Sequence, residues 1–256
     1  MKASRLEGKT AVITGACGGI GSVACRTFCE EGAAVLGVDV AEEAGIRLET
    51  DLRAAGLDFA FYPCDVASSA DANAVALVAR ERFGGLDILL GSAGTILGKP
   101  LVETSDEEWD RVISVNLRGA FLAMRALVPL MRARRASIIN VASGLGLVGA
   151  PQMSAYCASK GGLVLLTKAA ALELGPAIRV NVLCPGVIDT DMPRALAGSL
   201  PAEVGRNLVQ KWEAAHVAKR LGTPEEVVAV AVFLASDEAS FVTGAAIPVD
   251  SGITAA

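Results

Sequence analysis

Tyr156 and Lys160 are the residues whose types and spacing most directly suggest chemistry. They stand four apart in Tyr156-Cys157-Ala158-Ser159-Lys160, at the head of a helix-length segment. Residues i and i+4 share a helical face, so phenol and ammonium would point into one cleft. A free phenol titrates near ~10 and is a weak base at neutral pH. A neighbouring ammonium favours phenolate and lowers that value, more so where water is partly excluded. Tyr-x-x-x-Lys alone is usually just an exposed pair; its setting sharpens it here. Thirteen residues upstream, Ser143 follows the apolar run Ile138-Ile139-Asn140-Val141. That is the carboxyl edge of a strand, where open α/β sheets bind ligands. A hydroxyl there can polarise a substrate oxygen.

A second constellation lies near the N-terminus. The run Thr10–Thr14 leads into Gly15-Ala16-Cys17-Gly18-Gly19-Ile20-Gly21 and then a helical pattern. Glycines in a strand-to-helix turn let the backbone approach a pyrophosphate, and the helix N-terminus supplies free N–H groups and positive dipole. The next strand ends in Asp39, about 20 residues beyond the turn, where a carboxylate accepts both adenine-ribose hydroxyls. It would repel a 2′-phosphate, and the following Val40, Ala41, Glu42 and Glu43 bring no compensating cation. NAD is therefore favoured over NADP. At the third strand's end, Cys64-Asp65-Val66 places a carboxylate within reach of an adenine amino group.

The elements that must position these groups follow from periodicity. Short apolar, β-branched runs at Thr10–Thr14, Ala34–Val38, Phe59–Tyr62, Ile88–Leu90, Ser137–Val141, Arg179–Leu183 and Ala246–Val249 read as strands. Helical patterns fall near 20–31, 42–55, 69–83, 105–132, 154–174 and 224–236. Near-continuous apolar strands imply burial on both faces, as in a parallel sheet covered by helices. Helices between them are βαβ crossovers. Ser105 ahead of Glu107 and Glu108, and Thr223 ahead of Pro224, signal helix starts. No linker or repeat divides residues 1–256. The expected fold is α/β, a single-domain doubly wound (Rossmann) parallel seven-stranded sheet flanked by helices. The alternation breaks at about 191–220, with Pro193, Gly198, Pro201 and Gly205, as expected of a substrate lid.

Composition narrows the partners. With 23 Lys plus Arg against 28 Asp plus Glu, the net charge is −5. No clustered positive charge suits nucleic acid or an acidic membrane surface. The longest apolar run, Val227 to Ala235, falls short of the ~20 residues a span needs. The N-terminus has no signal-peptide h-region. The six cysteines, Cys17, Cys25, Cys29, Cys64, Cys157 and Cys184, form no CxxC and read as buried reduced thiols, and no metal site is expected. These features point to the cytoplasm. The one histidine, His216, is expected on the surface or lid, away from catalysis, so acid–base work falls to another side chain.

Assembled in order, these motifs resemble the short-chain dehydrogenase/reductase family over essentially the whole chain. The TGxxxGxG turn is Thr14 to Gly21, and the active-site Ser-Tyr-Lys is Ser143, Tyr156 and Lys160. The family's helix asparagine matches Asn116. The PGxxxT segment is Pro185-Gly186-Val187-Ile188-Asp189-Thr190, and Val242-Thr243-Gly244 with Val249-Asp250-Ser251-Gly252 fits the family's ending. The resemblance implies hydride transfer between NAD and a secondary alcohol or ketone. Tyr156 would be the acid–base residue. Lys160 would lower its pKa and hold the nicotinamide ribose, Ser143 would position the reacting oxygen, and Asn116 would anchor a water leading from Lys160 to solvent. Cofactor contacts would come from Gly15, Cys17, Gly18, Gly19, Ile20, Gly21, Asp39, Asp65, Val66, Ser92, Ala93, Gly94, Tyr156, Lys160, Pro185, Gly186, Ile188 and Thr190.

Two motifs depart from the family. Its Asn-Asn-Ala-Gly reads Gly91-Ser92-Ala93-Gly94, and its Asp-Gly-Gly reads Asp250-Ser251-Gly252. Leu145, Leu147, Val148, Met153, Met192, Leu196 and Trp212 suggest a mainly apolar pocket, suited to a neutral small molecule. Arg194, Arg206 and Lys211 are the cations an anionic substrate would use. The rival readings are a 3-oxoacyl-type ketone reductase, which Asp39 counts against, and an NAD-binding regulator without turnover. By resemblance the protein is a homotetramer, with helices 105–132 and 154–174 pairing across an interface.

Overall fold

The computed structural model describes residues 4–132 and 136–255. Positions 1–3, 133–135 and 256, inside the expected 1–256 domain, lie outside the described residues. The seven strands are β1 (Thr10–Thr14), β2 (Ala34–Asp39), β3 (Phe59–Pro63), β4 (Ile88–Gly91), β5 (Ala136–Val141), β6 (Ile178–Pro185) and β7 (Ala246–Val249). They form one parallel sheet in the order β3-β2-β1-β4-β5-β6-β7. All seven expected strands are present, most one or two residues longer at an end. The order reverses between β1 and β4, where Thr14 lies opposite Val38 on one side and Gly91 on the other. Chains leaving β1 and β4 go to opposite faces, which opens a crevice at their carboxyl ends.

The helices are α1 (Gly19–Glu30), α2 (Glu42–Ala54), α3 (Ser69–Phe83), α4 (Asp106–Ile113), α5 (Gly119–Leu127), α6 (Ser154–Leu174), α7 (Asp191–Gly198), α8 (Ala202–Ala215) and α9 (Pro224–Ala235). The two-residue alternation of the strands sorts the core. Ala11 and Ile13 of β1 face Phe28 of α1, Leu52 of α2 and Val228 of α9. Val12 faces the other way, onto Val75 of α3, Met124 of α5 and Ala171 of α6. Phe28 and Leu52 are wholly buried. Each contributes about 1.5–3 kcal/mol relative to exposure.

Ser105 and Thr223 each form a capping box, with Glu108 and Glu226, so both predicted helix starts hold. The expected helix 105–132 is a composite. α4 passes through a π turn at Ser114–Arg118 into α5 and ends in a 3₁₀ turn at Val128–Leu130. By length and composition Asp106–Leu130 could cross a membrane. In this fold Val112, Leu122, Met124 and Leu127 from it are buried. The excursion at 191–220 resolves into α7 and α8.

Two expectations need correction. All six thiols are free, but Cys17 and Cys157 are only partly buried, since one sits in the glycine turn and the other on the open side of α6. Burial pushes Cys29 and Cys64 up to about 12, which leaves them inert. His216 is not on the surface. It closes α8 and is buried at 2% exposure.

Candidate active site

The glycine turn closes over its own backbone. Gly15 adopts φ +69°, and a Cβ there would lie 2.7 Å from the Ala93 backbone. A Cβ on Gly21 would lie 1.9 Å from the Gly15 carbonyl oxygen, so any side chain would force the turn open. Cys17 N–H donates to Asp39 Oδ2 at 3.0 Å, and Ala41 N–H donates to Asp39 Oδ1 at 3.0 Å. The carboxylate thus stands directly beside the turn. Across the crevice, Ser92 N–H donates to Thr14 O, and Ala93 N–H to Thr14 Oγ1, both at 3.3 Å. A Cβ on Gly19 would lie 2.4 Å from Thr190 Cγ2, so the segment after β6 folds onto the turn and starts α7 there. Gly18, Gly19 and Ile20 open α1, whose first N–H groups lack a side-chain cap. This bare cradle, with a carboxylate at one end, fits the pyrophosphate and ribose of a dinucleotide.

The other expected contacts divide. Pro185 ends β6, Gly186 N–H donates to Val249 O at 3.1 Å, and Ile188 is buried. Val66 packs where a Cβ on Gly119 would meet it at 3.0 Å. Asp65 is exposed just beyond the end of β3, and its Oδ1 accepts Ala67 N–H at 2.9 Å in a local turn.

At the chemical end, α6 and the edge of β5 bring Ser143, Tyr156 and Lys160 together. Tyr156 is the third residue of α6 and 8% exposed. The positive end of the helix dipole there favours a phenolate. Burial nevertheless pushes its pKa up, opposed by the Ser143 side chain facing its hydroxyl, with Cys157 pushing up further. Lys160 Nζ lies 5.8 Å from the Tyr156 ring centroid and donates to Val141 O at 2.9 Å. As the side chains stand, the expected lowering of the phenol by the ammonium is therefore not realised. Burial instead pulls Lys160 down to about 8, with Cys184 acting weakly in the other sense. Ser143 Oγ accepts Leu145 N–H at 3.1 Å, which fixes the hydroxyl at the rim.

Asn116 sits in the π turn at 1% exposure. Its Oδ1 accepts Thr95 N–H at 2.7 Å, and its Nδ2 donates to Thr95 O at 2.9 Å and Ser159 Oγ at 3.0 Å. Ser159 Oγ in turn donates to Tyr156 O at 2.7 Å. A Cβ on Gly94 would lie 3.4 Å from both Asn116 Oδ1 and Lys160 Nζ, so these groups flank one point. Ser159 was missed in the sequence, although it is a hydroxyl three residues beyond Tyr156 on its helical face. The departure at Gly91 has a local partner. A Cβ there would lie 2.8 Å from Asn140 Oδ1, so glycine makes room for that amide, whose Nδ2 donates to Thr167 Oγ1 at 3.0 Å.

The lid meets the site from above. A Cβ on Gly98 would lie 3.0 Å from Leu196 Cδ1 and 3.5 Å from Met153 Cε, so the loop after β4 meets both α7 and the start of α6. Trp212 and Arg194, expected at the substrate, line a different cavity of about 430 Å³ with Pro193, Val209 and Leu221. Arg194 is tied there to Asp189 at 2.8 Å. Arg206 and Lys211 are exposed.

The family model that matches, described as enoyl-(acyl carrier protein) reductase, covers residues 15–254. The chain is 37% identical over 252 residues to 2,5-dichloro-2,5-cyclohexadiene-1,4-diol dehydrogenase of Sphingobium indicum, covering 98% of each. It is 38% identical over 251 residues to 3-oxoacyl-[acyl-carrier-protein] reductase of Thermotoga maritima, covering 97% of this chain and 99% of the other. A solved short-chain dehydrogenase/reductase of Brucella melitensis, described as a glucose/ribitol dehydrogenase, superposes with a TM-score of 0.90 at 36% identity. The match covers 97% of this chain and 98% of that one.

Proposed function

The chain belongs to the short-chain dehydrogenase/reductase family, nicotinamide-cofactor oxidoreductases of small organic molecules, and we propose that it interconverts a neutral, largely apolar secondary alcohol and its ketone with NAD. The observation that carries this reading is the convergence of Ser143, Tyr156 and Lys160 at one strand edge, with Asp39 beside the glycine turn. When bound, the nicotinamide supplies the hydride acceptor or donor. The glycine turn and the first N–H groups of α1 hold the pyrophosphate, and Asp39 takes the ribose hydroxyls and repels a 2′-phosphate. Ile188 and Thr190 hold the carboxamide end.

Tyr156 Oη receives the alcohol proton during oxidation and returns it during reduction. Ser143 holds the substrate oxygen against that hydroxyl. Lys160 favours the phenolate when its ammonium swings from Val141 O toward the ribose and Tyr156. The Asn116–Ser159–Tyr156 chain keeps helix and π turn in register. The apolar side chains Leu145, Met153 and Leu196 favour an uncharged substrate. The similarity to a cyclic-diol dehydrogenase supports alcohols. The similarity to an acyl-carrier ketone reductase supports the second reading, which Asp39 disfavours.

Assembly as a homotetramer is supported by apolar side chains left on the outer faces of the long helices. Phe121 is 43%, Leu165 67% and Leu172 87% exposed. Six free thiols suit a reducing compartment such as the cytosol. The test is absorbance of NADH across cyclic, aliphatic and aromatic secondary alcohols, each with NAD and NADP. Turnover of one class with NAD is expected. Activity with NADP alone, or only on acyl-carrier ketones, would replace this reading with the reductase.

A further inference from the structure

His216 is the only histidine in the chain, yet the chemistry proposed above makes no use of it. It is buried at the end of α8, between the lid and the segment that runs from β6 to α7. Nδ1 lies 2.7 Å from Trp212 O, one helical turn back. Nε2 lies 3.2 Å from Val187 N. A Cβ on Gly186 would lie 2.6 Å from Nε2, so the ring is pressed against the backbone of that segment. A backbone N–H can only donate, so Nε2 must offer its lone pair to Val187. The proton then sits on Nδ1 and is donated to Trp212 O. Only a neutral imidazole in this one tautomer satisfies both contacts.

The segment it grips is the one that matters for the cofactor. Val187 is followed by Ile188, which is buried, and Thr190, which lies on the glycine turn at Gly19. Behind the ring, Val217 N–H donates to Ser251 O at 3.0 Å and Ala218 N–H to Ser251 Oγ at 2.9 Å, tying the end of α8 to the C-terminal turn. The charged groups around the ring are few. Asp250 in the C-terminal turn attracts a charged imidazole, while its own oxygens are held by Gly252 and Thr254. On the chain beside the ring are Glu213 and Lys219, the latter donating to Ala214 O. Asp189 is paired with Arg194, and Arg220 with Glu226.

We propose that His216 is a positioning residue: its neutral Nδ1–H form latches α8 to the 187–190 segment, and protonation opens the latch. A proton on Nε2 would face the Val187 N–H donor to donor, while Asp250 draws the new charge away. The segment then loses its hold on the nicotinamide end. This rests on the family-based reading that Ile188 and Thr190 hold that end.

The experiment is NADH binding, without substrate, followed by fluorescence from pH 8 to pH 5.5, in wild type, His216→Gln and His216→Leu. Glutamine can accept from Val187 and donate to Trp212 but does not titrate. Wild-type affinity should fall about tenfold or more on acidification, with one-proton dependence. His216→Gln should keep the pH 8 affinity throughout, and His216→Leu should bind weakly at every pH. The sole imidazole ring should titrate by NMR over the same pH range as the loss of affinity. A flat wild-type profile, or the same fall in His216→Gln, overturns the latch while leaving the family reading intact. Absence of NADH binding by wild type at pH 8 would overturn both.

Discussion

Lys160 is held in the folded protein at a cost, and that cost can be measured. Its amine is 4% exposed and burial pulls it from the ordinary 10.5 down to about 8. At about 1.4 kcal/mol per pH unit, that gap is worth roughly 3 kcal/mol. The sign follows from which state binds the proton. Above 10.5 the amine is neutral in folded and unfolded chains, and no cost arises. Between 10.5 and about 8 the unfolded chain holds a proton that the folded one lacks, so stability falls as pH falls. Below about 8 both are charged and the penalty is at its full size. Lys160→Met keeps the volume and removes the charge, but also the bond to Val141 O, whose loss acts at both ends of the range. Urea unfolding of both proteins without cofactor, at equal concentration, at pH 7.5 and pH 10 isolates the charging. The wild-type stability minus that of Lys160→Met should be roughly 2–3 kcal/mol less favourable at pH 7.5 than at pH 10. In thermal melts that is roughly 4–12 °C for a chain of this size. A difference that stays constant across the two pH values would refute the argument, because it would mean that the buried amine titrates alike in both states.

Tyr156→Phe removes the proposed proton carrier and keeps the ring. Turnover should fall by about 10²–10⁴ or more while NADH fluorescence titration still gives binding, and retained activity would mean another base. Asp39→Ser should narrow the NAD over NADP preference in kcat/KM by about tenfold or more, since the carboxylate lies 3.0 Å from the turn's Cys17 N–H; an unchanged ratio would remove it from the ribose site. Light scattering should give a tetramer of the 26.2 kDa chain, and a stable monomer would leave Leu165 and Leu172 unexplained.

Periodicity reached the sheet because its signal is local. Val12 and Ile13 are apolar neighbours that face opposite layers, and a run of such residues has few other uses. Helix starts at Ser105 and Thr223 were legible because capping boxes are short-range. The π turn at Ser114–Arg118 was not, since it leaves the apolar pattern of 105–132 continuous. Asn116, Tyr156 and Lys160 were visible as residue types, but what they bond is a matter of tertiary packing. Thr95 lies 21 residues from Asn116, and Ser159 lies 43 from it. His216 was misplaced for the same reason. Its setting in sequence is polar, and only the return of the C-terminal turn and the Val187 segment encloses it.

Spacing alone predicts that the Lys160 ammonium lowers the Tyr156 phenol, more so where water is partly excluded. Their burial alters what proximity does. Each charge alone is disfavoured, the phenol pushed up and the ammonium pulled down, so near neutrality the two are driven toward a neutral phenol beside an amine that gives up its proton easily. Ser143 already favours the phenolate from one side, and the N-terminus of α6 from another. A group entering the crevice with positive charge would add to both and tip Tyr156 toward ionisation. A site built this way keeps the Tyr156 phenol protonated while open and favours its ionisation only when the cleft is filled. Tyr156 should therefore titrate lower in the loaded protein than alone, and Lys160→Met should shrink the difference without abolishing it.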